Sequence, residues 1–172
     1  MSKKLYIVVN QDWFFLSHRL PIGVAAKEAG YDVTIVSEDT GVSDKIRAAG
    51  LKTIDLPINK AGTNLKDEIK TFVFLYKLFK REQPDIVHLV GLKTTLWGSS
   101  ACRLAGVKAM VSAVCGLGVL FDDRHAQSVM TRSILKVLRF THAMRRLYVV
   151  FQNRDDQAVF RTAKIVQERQ CV

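Results

Sequence analysis

The stretch "LYIVVNQDWFFLSHRLPIGVAAKEAGYDVTIVS", residues 5–37, decides the fold. It opens on an unbroken apolar run and turns through a polar and aromatic segment. A helical pattern near 17–29 follows, ended by Gly30, and the stretch closes on a second apolar run, "YDVTIV" (31–36). Two strands separated by a helix pair in parallel through a right-handed crossover. Runs without polar alternation belong to strands that are covered on both faces.

The unit repeats along the chain. "KLYIVV" (4–9) is the first strand, and a short helix near 42–49 stops at Gly50 before "LKTIDL" (51–56). The amphipathic "NLKDEIKTFVFLYKLFKREQ" (64–83) is stopped by Pro84 and followed by "DIVHLV" (85–90). A helix near 93–105 ends at Gly106, and "KAMVSAV" (108–114) leads through a glycine-containing loop to a long helix at 126–146. "LYVVF" (147–151) and a last helix from Arg154 complete the order. Six β units joined by helices predict one α/β domain over 1–172: a doubly wound, Rossmann-like parallel sheet.

The totals narrow the class. With 172 residues, 48% hydrophobic and 24% charged, the chain has the make-up of an ordinary globular domain. No apolar run approaches the ~20 residues of a membrane-spanning helix. The five apolar residues after the N-terminal lysines are too few for a signal peptide. Cys102, Cys115 and Cys171 show no metal-ligand spacing, so reduced thiols, a cytoplasmic setting and no metal site are expected. The formal net charge is +10, and ten Lys or Arg against three acids fall between Arg124 and Val172. That bias points either to a polyanionic partner or to a solvated basic surface. Nucleic acid finds no further support, because no basic–aromatic interleaving or recognition motif accompanies the charge.

In an open α/β sheet the ligand sits beyond the carboxyl ends of the strands. The candidate loops are therefore 10–16, 37–41, 57–63, 91–93, 115–125 and 152–154. The first lacks G-x-G-x-x-G, and no phosphate-binding G-x-x-x-x-G-K-[ST] loop occurs anywhere, so nicotinamide and ATP chemistry both lose ground. What that loop offers is side chains: Asn10, Asp12, Trp13, then His18 and Arg19, the last able to hold a phosphate bidentately. At least one of Phe14 and Phe15 is expected to plug the top of the sheet. Pro21 must lie in the first turn of its helix. His88, inside a strand, reads as a packed histidine. After the fourth strand come Gly91 and Lys93, with Thr94 or Thr95 as a candidate cap. After the fifth come Gly116 and Gly118, suited to close approach of a ligand. Asn153 or Asp155 should cap the last helix. On the helix 126–146, Arg132, Lys136, Arg139 and Arg146 form a stripe expected to face outward. Met130, Ile134, Val137, Thr141 and Met144 form another, expected to face the sheet. The basic stripe suits anionic headgroups as well as plain solvent.

Four stretches together carry a resemblance: residues 10–37, "DIVHLVGLKTTLWGSSACRLAGVK", "VSAVCGLGVLF" and "VVFQNRDDQAVF". They resemble the N-terminal half of bacterial family 4 glycosyltransferases, retaining GT-B enzymes of capsule and O-antigen synthesis. The resemblance implies an acceptor-binding wall of a two-domain cleft, with the nucleotide-sugar held by a C-terminal domain this sequence does not contain. It implies no cofactor beyond that donor, and a lipid-linked or oligosaccharide acceptor. The chain would be inactive alone and seated against the inner face of the cytoplasmic membrane. Acceptor or diphosphate contact maps onto Asn10, Asp12, Trp13, His18, Arg19, Lys93, Thr94, Gly116 and Gly118. Relatives carry a histidine just past the fourth strand where this chain has Val90 and Gly91, so no catalytic residue carries over. The alternative is a non-catalytic membrane-anchoring or scaffold subunit paired with a separate donor-binding chain.

Overall fold

The computed structural model describes residues 2–59, 64–114 and 129–172. In chain order the elements are β1 (Lys4–Gln11), α1 (Asp12–His18), α2 (Leu20–Glu28), β2 (Asp32–Glu38), α3 (Ser43–Ala48) and β3 (Lys52–Asp55). Then follow α4 (Leu65–Glu82), β4 (Ile86–Val90), α5 (Leu92–Ala105), β5 (Ala109–Val114), α6 (Val129–His142), β6 (Leu147–Phe151) and α7 (Arg154–Thr162). A single 3₁₀ turn covers Glu168–Gln170.

All six strands are parallel, in the order β3-β2-β1-β4-β5-β6. The doubly wound Rossmann-like sheet read from the apolar runs is the one observed. The order reverses between β1 and β4, where Ile7 pairs with Ile35 on one side and with His88 on the other. The carboxyl ends of these two strands therefore border the crevice that such sheets use for ligands. Between Val8 and Gln11 the pairing of β1 with β2 slips. That irregularity bends the strand just before it enters α1, as bulges beside functional sites do.

Each face of the sheet carries its own core. Under α1–α3 lie Ile7, Val9, Phe15, Ile35, Ile46 and Leu51. Under α4–α6 lie Val8, Leu75, Phe79, Leu89, Cys102, Met110 and Leu138, joined by Phe160 of α7. Phe15 is the aromatic that plugs the top of the sheet, being fully buried. Gly98 lets α5 lie close on β4, since a Cβ there would come within 2.5 Å of Leu89 Cδ2. Cys102 and Cys171 are free thiols, and burial raises the pKa of Cys102; Cys115 lies outside the described residues.

Three expectations are corrected. The loop at 10–16 and the helix near 17–29 give way to a longer strand and two helices. β1 runs to Gln11 and α1 begins at once, while Arg19 (φ −130°, ψ −6°) breaks the helical path before α2. Pro21, in the first turn of α2, has no N–H to continue an α1 ladder, and its ring would clash with the carbonyl four residues back. Neither Thr94 nor Thr95 caps α5; Gly91 does, at φ +97°, without a side-chain hydrogen bond. The buried face of α6 is rotated from the expected one. Thr131, Leu138, Thr141 and His142 face inward, with Met144 also buried just beyond the helix, while Met130 and Val137 are exposed. Asn153 caps α7 as read, accepting from Asp156 N.

Candidate functional site

The tip of β1 is organised by one carboxylate. Asp12 is fully buried at the start of α1. Its Oδ1 accepts from Trp13 N at 2.8 Å, Thr40 N at 3.1 Å and Thr40 Oγ1 at 2.5 Å. Its Oδ2 accepts from Val42 N at 3.2 Å and Ser43 Oγ at 3.0 Å. Burial pushes the carboxyl pKa up, but the bonds from Thr40, Ser43 and Val42 outweigh it and hold the pKa below the ordinary carboxylate value. Five donors saturate the roughly four lone-pair sites of a carboxylate. The group therefore ties α1 to the loop between β2 and α3. Thr40, Val42 and Ser43 were not singled out from the sequence; a buried acid gives no local sign of which distant loop will satisfy it.

With Asp12 fixed, the next residues form an aromatic ledge. Trp13 is 43% exposed and meets Phe14 edge-on at 6.0 Å between centroids. Phe14 stacks on the His18 ring at 4.6 Å. The Trp13 indole N–H donates to Gln11 Oε1, and Gln11 Nε2 donates to Glu38 Oε2. Ser17 Oγ lies 3.0 Å from Trp13 O, 3.3 Å from Phe14 O and 2.6 Å from His18 Nδ1. The hydroxyl thus ties the His18 ring to the backbone of α1 and leaves Nε2 as the ring's second polar atom. The ledge thus presents the exposed Trp13 indole set across the stacked Phe14 and His18 rings, with polar groups at its edge.

Behind it lie Arg19 and His88. His88 occupies the middle of β4 on the α1 side of the sheet. Burial drives its pKa down to about 4, and the Arg19 charge adds to that against a hydrogen bond the ring donates to the Val111 backbone. It is a neutral, packed histidine, as read. Asn10, on the irregular part of β1, has a buried Oδ1 without a hydrogen-bond partner, and its Nδ2 would lie 3.5 Å from a Cβ at Gly91. Asn10 and Gly91 therefore join the tips of β1 and β4.

Beyond β4, the uncapped N-terminus of α5 offers its first amides toward the strand tips. Thr94 Oγ1 turns back to Val90 O at 2.6 Å and Gly91 O at 3.0 Å. Lys93 Nζ reaches Asn59 O at 2.8 Å and pairs with Glu68 Oε1 at 2.6 Å, while the Trp97 indole donates to the other oxygen of Glu68. Glu68 was missed in the sequence because it sits a turn inside α4, away from any loop. On the far side, Glu38, Asp39, Asp55 and Asp67 line an open depression of about 640 Å³ at the tips of β2 and β3. An anionic group would be repelled there and favoured at the β1–β4 side. Gly116 and Gly118 lie outside the described residues.

Arg132, Lys136 and Arg139 are exposed on α6, and Arg139 also donates to Ala163 O at 2.6 and 3.0 Å. Arg146, expected on the same helix, is exposed but lies beyond its end at His142, so the four do not form one helical stripe. Among the described residues no cluster of His, Cys, Asp or Glu could hold a metal, and no helix is long and apolar enough to cross a membrane.

Residues 4–149 match the family model described as "Glycosyl transferase 4-like". The chain belongs to that family. It is similar to N,N'-diacetylbacillosaminyl-diphospho-undecaprenol alpha-1,3-N-acetylgalactosaminyltransferase of Campylobacter jejuni, 25% identical over 92% of this chain and 44% of that protein. It is also similar to UDP-Gal:alpha-D-GlcNAc-diphosphoundecaprenol alpha-1,3-galactosyltransferase of Escherichia coli, 33% identical over 58% of this chain and 25% of that one. This glycosyl transferase 4-like chain thus spans less than half the length of these curated relatives. Among solved structures, a glycosyltransferase of Rickettsia africae matches with a TM-score of 0.63 at 14% identity, over 99% of this chain and 42% of that one. UDP-N-acetylglucosamine 2-epimerases match over less than half of their own length as well, so this likeness speaks for the doubly wound α/β fold and not for the reaction.

Proposed function

We propose that the chain forms the acceptor-side wall of a retaining glycosyltransferase cleft, seating a lipid-linked diphospho-sugar while a second domain holds the nucleotide-sugar. The exposed ledge of Trp13, Phe14 and His18 at the tip of β1 carries this reading. Sugar rings present C–H faces that lie flat on an indole, and a His18 ring nitrogen at the edge of the ledge can exchange a hydrogen bond with a sugar hydroxyl. Asp12 works at one remove, as a positioning residue that fixes the ledge. The diphosphate fits the α5 N-terminus, with Lys93 swinging from Glu68 and Arg19 and Asn10 beneath. Both curated relatives are named for acceptors of this kind, and the acidic far end of the strand tips leaves the β1–β4 side for the anion. Gly116 and Gly118, which follow β5 in the sequence, are proposed from the family resemblance alone as further acceptor contacts. The outward basic stripe of α6 faces the anionic headgroups of the inner leaflet, each basic residue near the surface contributing about 1 kcal/mol.

Calorimetric titration with a short-chain polyprenyl diphospho-sugar tests this. The chain should bind it, and Trp13→Ala should weaken binding about tenfold with unchanged melting. Tight binding of a nucleotide-sugar, with none of the acceptor, would reverse the assignment.

A further inference from the structure

A groove runs between α4, α5 and α6, on the sheet face opposite the ledge's own core. Phe72, Trp97, Leu104, Val137 and Phe140 line it, and Lys136 stands at its rim. Its volume is about 440 Å³ and it is open to solvent along one side. Leu104 and Phe140 are each more than half exposed, an arrangement a folded chain does not need for its own stability. The cations sit close by: the Arg103 guanidinium lies 5.3 Å over the Phe140 ring, and α6 carries no acid at all. Arg132 and Arg139 flank the rim on the outer side of the same helix.

Lining and charge point to the occupant. From Trp97 to Leu104 the groove follows α5 for seven residues, about 10 Å. Its walls are apolar and its rim carries Lys136 and Arg103, which suits a hydrocarbon chain joined to anionic groups. The upper end also has a direction. Trp97 shares Glu68 with Lys93, the first cation of the α5 N-terminus. An apolar chain lying in the groove would therefore emerge one helical turn from the proposed diphosphate position.

We propose that this groove holds the first isoprenoid units of the acceptor's own lipid stem, and so reads the lipid as well as the sugar. The inference rests on the acceptor reading above. The chain leaves the diphosphate at Lys93, passes Trp97, and continues between Leu104 and Phe140 toward the membrane. Lys136 and Arg103 border the exit, where headgroups would lie.

The test uses the 172-residue protein with Trp13→Phe, which leaves Trp97 as its one tryptophan, and monodisperse farnesyl diphosphate as the probe. Saturable quenching or a blue shift of Trp97 emission is expected, and inorganic diphosphate should give none. Leu104→Asp, at an exposed position, and Ser100→Phe, which fills the groove, should each raise the apparent Kd at least tenfold. An equal response to inorganic diphosphate, or unchanged affinity in both variants, would overturn the groove. A response to anionic vesicles but not to dispersed farnesyl diphosphate would overturn it in favour of bilayer insertion. Binding of a water-soluble methyl-diphospho-sugar to the unsubstituted protein is measured alongside. If that survives while the farnesyl response is absent, the groove alone falls; if only that is absent, the acceptor reading falls.

Discussion

The tip of β1 and the outer side of α6 both place large apolar side chains beside basic ones, and they differ in what holds them. At β1 the polar groups are turned inward: Asp12 binds five donors, Gln11 bridges Trp13 and Glu38, and Ser17 fixes His18. What remains outside is a ledge with one shape. On α6 the basic side chains point outward and Val129, Met130, Val137 and Phe140 stay exposed with them. A fixed ledge suits a ligand with defined stereochemistry, a sugar. A greasy, basic, loosely tied surface suits a lipid, which has none.

The strongest way to break this contrast is to remove the anchor of the fixed region. Asp12→Ala strands four donors from the 40–43 loop and should cost about 3 kcal/mol or more in urea unfolding. A loss below 1 kcal/mol would mean the ledge holds itself. Lys136→Ala on α6 should change stability by less than about 0.5 kcal/mol.

Acid sharpens the contrast next. His142 is fully buried and His88 half-buried, and desolvation is the main cause that pushes both pKa values down to about 4. A depressed folded pKa means the unfolded chain binds the proton first. Stability is therefore full above about pH 6.5 and falls toward pH 4, by about 3 kcal/mol per histidine. Asp12, also held low, adds a further loss below the carboxylate range. Unfolding midpoints against pH should show a slope approaching two protons between pH 6 and 4.5. His142→Asn should halve it.

Smaller effects separate the two surfaces by function. His18→Ala should weaken binding of a diphospho-sugar a few-fold, and unchanged binding would remove His18 from the ledge. Arg132→Glu on α6 should weaken co-sedimentation with anionic vesicles about fivefold at low salt, and the difference should shrink as salt rises.

The fold was largely legible because it depends on period and punctuation. Unalternating runs such as "DIVHLV", stops at Gly30, Gly50, Gly106 and Pro84, and the Asn153 cap are local signals. The outward direction of Arg132 and Lys136 was legible for the same reason. Errors arose where tertiary contacts decide. A burial stripe through Met130 and Val137 is as regular as the true one, and only the placement of α5 selects Thr131, Leu138 and Thr141. Asp12 drew notice as a loop acid, yet its partners lie some 30 residues on. Glu68, which orients both Lys93 and Trp97, sits inside a helix that reads as plain amphipathic surface.

Hydrogen–deuterium exchange of the 172-residue protein, with and without a short-chain polyprenyl diphospho-sugar, tests the central claim most directly. Protection should concentrate in residues 10–19 and 91–95, where β1 and β4 end. Protection confined to the acidic tips around 38–41 and 55–58, or absent from 10–19, would contradict it.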